Sequence, residues 1–115
     1  MVDISDIRAV AADLPRAYEV VVRDRIKFRV GRIVFLALSR DETIVGFGFP
    51  KEERNALIEA DPVRYLLPPT SDLRYNWVCA RMAELDPELL RDHIWEAWTM
   101  CVPKSVAAEC FRTAT

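Results

Sequence analysis

Apolar and polar residues alternate most cleanly over residues 26–30. Ile26, Phe28 and Val30 point one way, Lys27 and Arg29 the other. A period of two marks a half-buried strand. Gly31-Arg32 follows as a Gly-X turn compatible with type II′, and "IVFLAL" (33–38) is apolar on both faces, as in a central strand. In a two-residue hairpin Val30 lies opposite Ile33, so alternation sets Phe28 against Phe35 and Ile26 against Ala37. One face is then Ile26, Phe28, Val30, Ile33, Phe35 and Ala37. The other is Arg25, Lys27, Arg29, Val34, Leu36 and Leu38. "TIVGFGF" (43–49) predicts a third strand with Val45, Phe47 and Phe49 on one side and Ile44, Gly46 and Gly48 on the other. Glycines inside a strand point to a bulge or to a close approach of another group. "NWVCARM" (76–82) predicts a fourth, with Val78, Ala80 and Met82 alternating against Trp77, Cys79 and Arg81. A weaker strand falls within 63–67.

A period of three to four residues takes over elsewhere. Ile4, Ile7, Val10, Ala11 and Leu14 predict a helix over 3–14, with Asp3 or Ser5 as N-cap and Pro15 as its end. The stretch holding Tyr18 and Val20–Val22 is expected to be a connection. Pro50 with Glu52 and Glu53 near the positive end of the helix dipole opens a second helix, to about Ala60. Pro68-Pro69 keep 61–75 in a loop. Asp86-Pro87-Glu88 combines an N-cap, a proline at the first helical position and an acid, and Leu90, Ile94, Ala97, Trp98 and Cys101 form the buried stripe of a third helix. Pro103 interrupts it, and a short final helix covers 104–111. The predicted order is α-β-β-β-α-β-β-α. Hairpins without parallel crossovers imply an α+β fold, a two-layer antiparallel β-sheet with helices packed on one face.

Composition adds class and compartment. At 115 residues with 51% hydrophobic and 30% charged side chains, the chain is expected to fold as one globular domain over 1–115. No apolar run is long enough to span a bilayer, and "MVDISDIRAV" lacks the basic start of a signal peptide. Three unpatterned cysteines, Cys79, Cys101 and Cys110, fit a cytoplasmic protein with reduced thiols. Net charge is −2, yet residues 23–32 hold five basic groups and one acid. A generally basic, sticky protein is excluded; a local basic patch is not.

Several segments in order resemble the MmcQ/YjbR family of small bacterial proteins. They are "LP" followed by Glu19, "FRVGRIVFLAL", "PKEERNALIEADP", "NWV", and "DPELL" leading to "AWTMCVPK", together spanning roughly residues 10–105. The resemblance implies an antiparallel two-layer fold similar to secretion-chaperone and frataxin-like (CyaY) domains. It also implies DNA binding, through hairpins likened to a double wing. The chain departs from the family pattern at three places. Gly31-Arg32 stands for the common Gly-Lys, "GFGF" lacks a lysine before Pro50, and Ala97-Trp98 replaces a Ser-Tyr pair.

Candidate sites follow from the faces. Arg25, Lys27, Arg29 and Arg32 are candidate phosphate contacts, with Trp77 and Arg81 beside them if that strand shares the face; a tryptophan flanked by arginines suits single-stranded DNA, a wing suits a duplex. The alternative is that the Arg and Lys stems merely cover apolar neighbours while their heads stay in water. Val34, Leu36 and Leu38 are a candidate partner surface for a second copy or another protein, unless a loop covers them. No catalytic signature is present: there is no G-x-S-x-G, no P-loop and no G-x-G-x-x-G, and His93 beside the buried stripe is expected to be a core or boundary histidine. Three cysteines and one histidine lack zinc spacing, and Asp3, Asp6 and Asp13 are accounted for by a solvated helix, so neither metal nor cofactor is expected.

Overall fold

The computed structural model describes the backbone of residues 2–114 and the side chains of residues 2–110. The elements run α1 (Ile4–Ala11), β1 (Ala17–Val22), β2 (Arg25–Val30), β3 (Ile33–Leu38), β4 (Ile44–Gly48), α2 (Lys51–Ala60), β5 (Tyr65–Leu66), β6 (Trp77–Arg81), α3 (Pro87–Thr99) and α4 (Lys104–Ala114). The strands form one sheet in the order β1-β2-β3-β4-β6-β5, with every neighbouring pair antiparallel. The fold is α+β, as the pattern predicts.

The helix ends follow their sequence signals. Asp3 caps α1 through a capping box, its carboxylate accepting from the backbone of Ser5 and Asp6 while Asp6 accepts from the Asp3 backbone. The helix stops at Ala11, three residues before the expected end. Asp86 accepts from Leu89 N at 2.8 Å and starts α3, with Pro87 in the first turn. Helix α3 ends at Thr99, so Cys101 lies beyond it and is half-buried rather than on the stripe.

The expected connection at 17–22 is instead β1, paired with β2 from Ala17↔Val30 to Val22↔Arg25. The turn between them is Arg23-Asp24, both with positive φ (52° and 65°). That is the backbone of a type I′ hairpin, which Asn-Gly would have announced and Arg-Asp does not. At the next turn Gly31 has φ of 60° and Arg32 does not, as type II′ requires.

The β2–β3 register begins as expected at Val30↔Ile33 and then slips. Arg29 faces Val34, but Phe28 faces Leu36 and Lys27 faces Ala37, leaving Phe35 as an extra residue in β3. A bulge of this kind reverses which side chains share a face beyond it. Leu36 and Leu38 therefore join Phe28 in the core, at 1% and 0% exposure. The expected open strip of Val34, Leu36 and Leu38 does not exist. Only Val34 keeps partial exposure.

The core lies between the sheet and α1 and α3. Phe47, Val45, Val78 and Ala80 from the sheet meet Ile7, Leu90, Ile94 and Trp98 from the helices. The Trp98 indole N–H donates to the Pro15 carbonyl at 2.9 Å, so the largest core side chain leaves no polar group unpaired.

Candidate functional site

Strand pairing fixes the composition of the sheet's other face. It carries Tyr18, Val20 and Val22 of β1, then Arg25, Lys27 and Arg29 of β2. Next come Ala37 of β3, Gly46 of β4, and Trp77, Cys79 and Arg81 of β6.

The Nε1–Cζ2 edge of the Trp77 indole packs against Gly46. A Cβ on Gly46 would stand 2.5 Å from the indole Nε1 and 2.9 Å from Cε2, so only glycine permits this position. The strand carrying Trp77 is held from behind by Arg54 of α2. Its guanidinium donates to the carbonyls of Leu73 (3.0 Å), Tyr75 (3.3 Å) and Trp77 (3.0 Å), and the side chain is buried at 8% exposure. Lys51 adds two bonds to the same segment, from its backbone N–H to Asn76 Oδ1 and from Nζ to the Arg74 carbonyl. A loop with two prolines is thereby converted into a fixed wall.

Arg25, Lys27, Arg32, Asp72, Tyr75 and Trp77 line a hollow of about 620 Å³ on this face, closed at one end by Met100 and Cys101. Among the described residues three cations face a single carboxylate there. Arg25 is aimed by a bond from its Nε to the Leu38 carbonyl at 3.1 Å. On the other side of Trp77 lies a second hollow of about 750 Å³, which again includes Arg25, Asp72 and Trp77. The indole and Arg25 thus stand at the junction of two adjoining depressions. A planar group with phosphates on either side fits such a place by chemistry: the indole offers a stacking surface and the cations offer charge.

Four of the six residues expected at a nucleic-acid site, Arg25, Lys27, Arg32 and Trp77, come together in this hollow. The other two do not. Arg29 is half-buried, with its Nε enclosed and without a hydrogen-bond partner, and it stays outside both hollows. Arg81 is turned away to donate to the Val63 carbonyl at 2.6 Å. Asp72 and Tyr75 carry no signal in the sequence because their loop has no period, and Asn76 reads there only as the start of the fourth strand.

The remaining reactive groups are packed away. His93 is 8% exposed, stacks on Phe47 at 4.6 Å between centroids, and shares a 2.6 Å hydrogen bond with the Tyr65 hydroxyl. Burial pushes its pKa down, with Asp92 opposing and Arg64 adding to the fall. It is the core histidine that the helical stripe suggests. Burial raises the Cys79 thiol to about 11, which keeps it protonated and unreactive at neutral pH. Among the described residues no group of three His, Cys, Asp or Glu side chains converges as a metal site, and no helix is long and apolar enough to cross a membrane.

Comparison with known proteins agrees with this architecture. No curated protein matches the chain. A solved structure, the Deinococcus radiodurans protein DR2400 with its DUF419 domain, superposes with a TM-score of 0.76 at 17% identity, covering 94% of this chain and 87% of that one. At that identity the likeness is one of fold. The YjbR family model matches residues 12–100. The match takes in every strand, α2 and all of α3, and the chain belongs to the YjbR family.

Proposed function

We propose that this protein is a binding module rather than an enzyme, and that its open sheet face takes single-stranded nucleic acid. The observation that carries the reading is the convergence of Arg25, Lys27 and Arg32 with Trp77 in one hollow that runs from the open sheet face to the end of α3 at Ala97 and Met100. Basic side chains supply phosphate contacts, and an indole resting on a glycine supplies a rigid surface for a base. The hollow is concave, with walls formed by the hairpin and by the loop that Arg54 pins. A single strand can lay its bases into it, whereas a duplex buries its bases in its own stack. The interaction-module alternative loses its surface, because Leu36 and Leu38 belong to the core.

Fluorescence anisotropy with labelled single-stranded and duplex oligonucleotides tests this. The expected result is binding of single strands at ~50 mM salt that weakens steeply toward ~200 mM, with a log–log slope of about −2 for three phosphate contacts. The paired reversal Lys27→Glu with Arg32→Glu touches no core contact and is expected to abolish it. An affinity unaffected by the reversal, or no binding at low salt, overturns the proposal.

A further inference from the structure

The sheet ends at β1, and its outer edge is unprotected. Natural edge strands are blunted by charged side chains, lysine above all, by proline, by a bulge or by shortness. β1 has six residues, "AYEVVV", with no lysine, proline or bulge. Its one charge, Glu19, is held by Arg8 of α1 in a bidentate pair at 2.8–2.9 Å. Val21 is 67% exposed and Tyr18 43%. The Tyr18 hydroxyl donates to the Gly31 carbonyl, so its ring is fixed along the strand rather than free.

The hydrogen-bonding state of this edge follows from the hairpin. Val22 and Arg25 flank a two-residue turn and exchange bonds, so Val22, Val20 and Tyr18 direct their backbone groups toward β2. Ala17, Glu19 and Val21 direct theirs outward, among the described residues with no strand beside them.

We infer that β1 pairs antiparallel with β1 of a second copy of this chain, around a two-fold axis through Val20. The pattern is self-complementary about that residue. Glu19 and Val21 exchange backbone bonds with Val21 and Glu19 of the partner, which sets a β-branched side chain against the stem of an already paired carboxylate. Tyr18 meets Val22 and Val20 meets itself on the open face, so every side chain brought together there is apolar or aromatic. The result is one twelve-stranded sheet. The two β2 strands lie three strand spacings apart, about 14 Å. Their basic side chains are then farther from one another than the ~8 Å Debye length of physiological salt, so their repulsion is largely screened. The union also doubles the cations on one continuous face, although it does not depend on any ligand.

Light scattering and disulfide trapping, both without nucleic acid, test the inference. Val20 and its counterpart form a non-hydrogen-bonded pair, with Cα atoms about 4.5 Å apart, within disulfide reach. Val20→Cys in a Cys101→Ser background is therefore expected to cross-link into a species of twice the mass under mild oxidation, while the background alone does not. Val21→Lys is expected to shift the unmodified chain to monomer. Val21→Pro removes only an outward N–H and is expected to do the same, with an unchanged circular dichroism spectrum confirming the fold. A chain that is monomeric at every concentration and yields no cross-link overturns the inference. A dimer that survives Val21→Lys and leaves the Val20→Cys chain unlinked overturns it equally, by placing the interface elsewhere.

Discussion

On one face of the sheet Leu36, Leu38, Val45, Phe47, Val78 and Ala80 are at most 2% exposed beneath the helices; on the other, Arg25, Lys27 and Trp77 stay half-buried around Gly46. The same strands build both faces, so backbone propensity does not distinguish them. Transfer of apolar surface from water selects the residues of the first face. The second is shaped by access: a glycine where an indole must lie, cations held by their stems, and a loop tied down from behind. Changes on the first face should act on stability, and changes on the second on binding.

The largest effect is expected from Phe47→Ala, which empties the space between His93 and the central strands. It should lower stability by about 3–5 kcal/mol in denaturant titration while leaving the affinity of the folded fraction unchanged. Gly46→Ala acts on the opposite face of the same strand. Its methyl group must displace the Trp77 indole, at a cost of about 1–3 kcal/mol, and single-strand binding should fall with it. A Gly46→Ala protein that binds as well as the parent would separate the indole from the site.

Acid should act on the helix-covered face. The folded-state pKa of His93 lies below its unfolded value of 6.5, because burial disfavours the imidazolium. The unfolded chain therefore takes up the proton first. The stabilisation is fully present above pH ~6.5 and is lost as pH falls through that value toward the folded pKa. Thermal unfolding followed between pH 7 and 5 should show Tm falling in the parent and a flatter profile in His93→Gln. The smallest effect is a gain. Asp24 at φ 65° occupies a left-handed position, and Asp24→Gly should stabilise the β1–β2 hairpin by about 0.5 kcal/mol, the relief of strain exceeding the added chain entropy.

How much of this is legible in the sequence depends on whether the cause is local. The β2–β3 hairpin, α2, β6 and α3 follow from alternation, proline and capping residues, each of which acts within a few positions of itself. The seat of Trp77 is half legible: Gly46 and Gly48 signal a close approach without saying of what. Three features are not. The extra residue at Phe35 has no local signature, yet it moves Leu36 and Leu38 from one face to the other. Strand β1 depends on a left-handed turn formed by Arg23 and Asp24; aspartate tolerates that conformation, but arginine at its first position hides the signal. Arg54 looks like any charge in the first half of a solvated helix; its role exists only because residues 73–77 return to it.

Trp77 is the aromatic side chain at the junction of the two hollows. Trp98 is buried in the core and Trp95 packs edge-on against it, which leaves Trp77 as the indole on the open face. The most direct measurement is tryptophan fluorescence during titration with a short unlabelled single strand, in the parent and in Trp77→Phe. Stacking of a base on Trp77 predicts saturable quenching in the parent that disappears in the variant. Absence of quenching, or quenching that persists in Trp77→Phe, would contradict it.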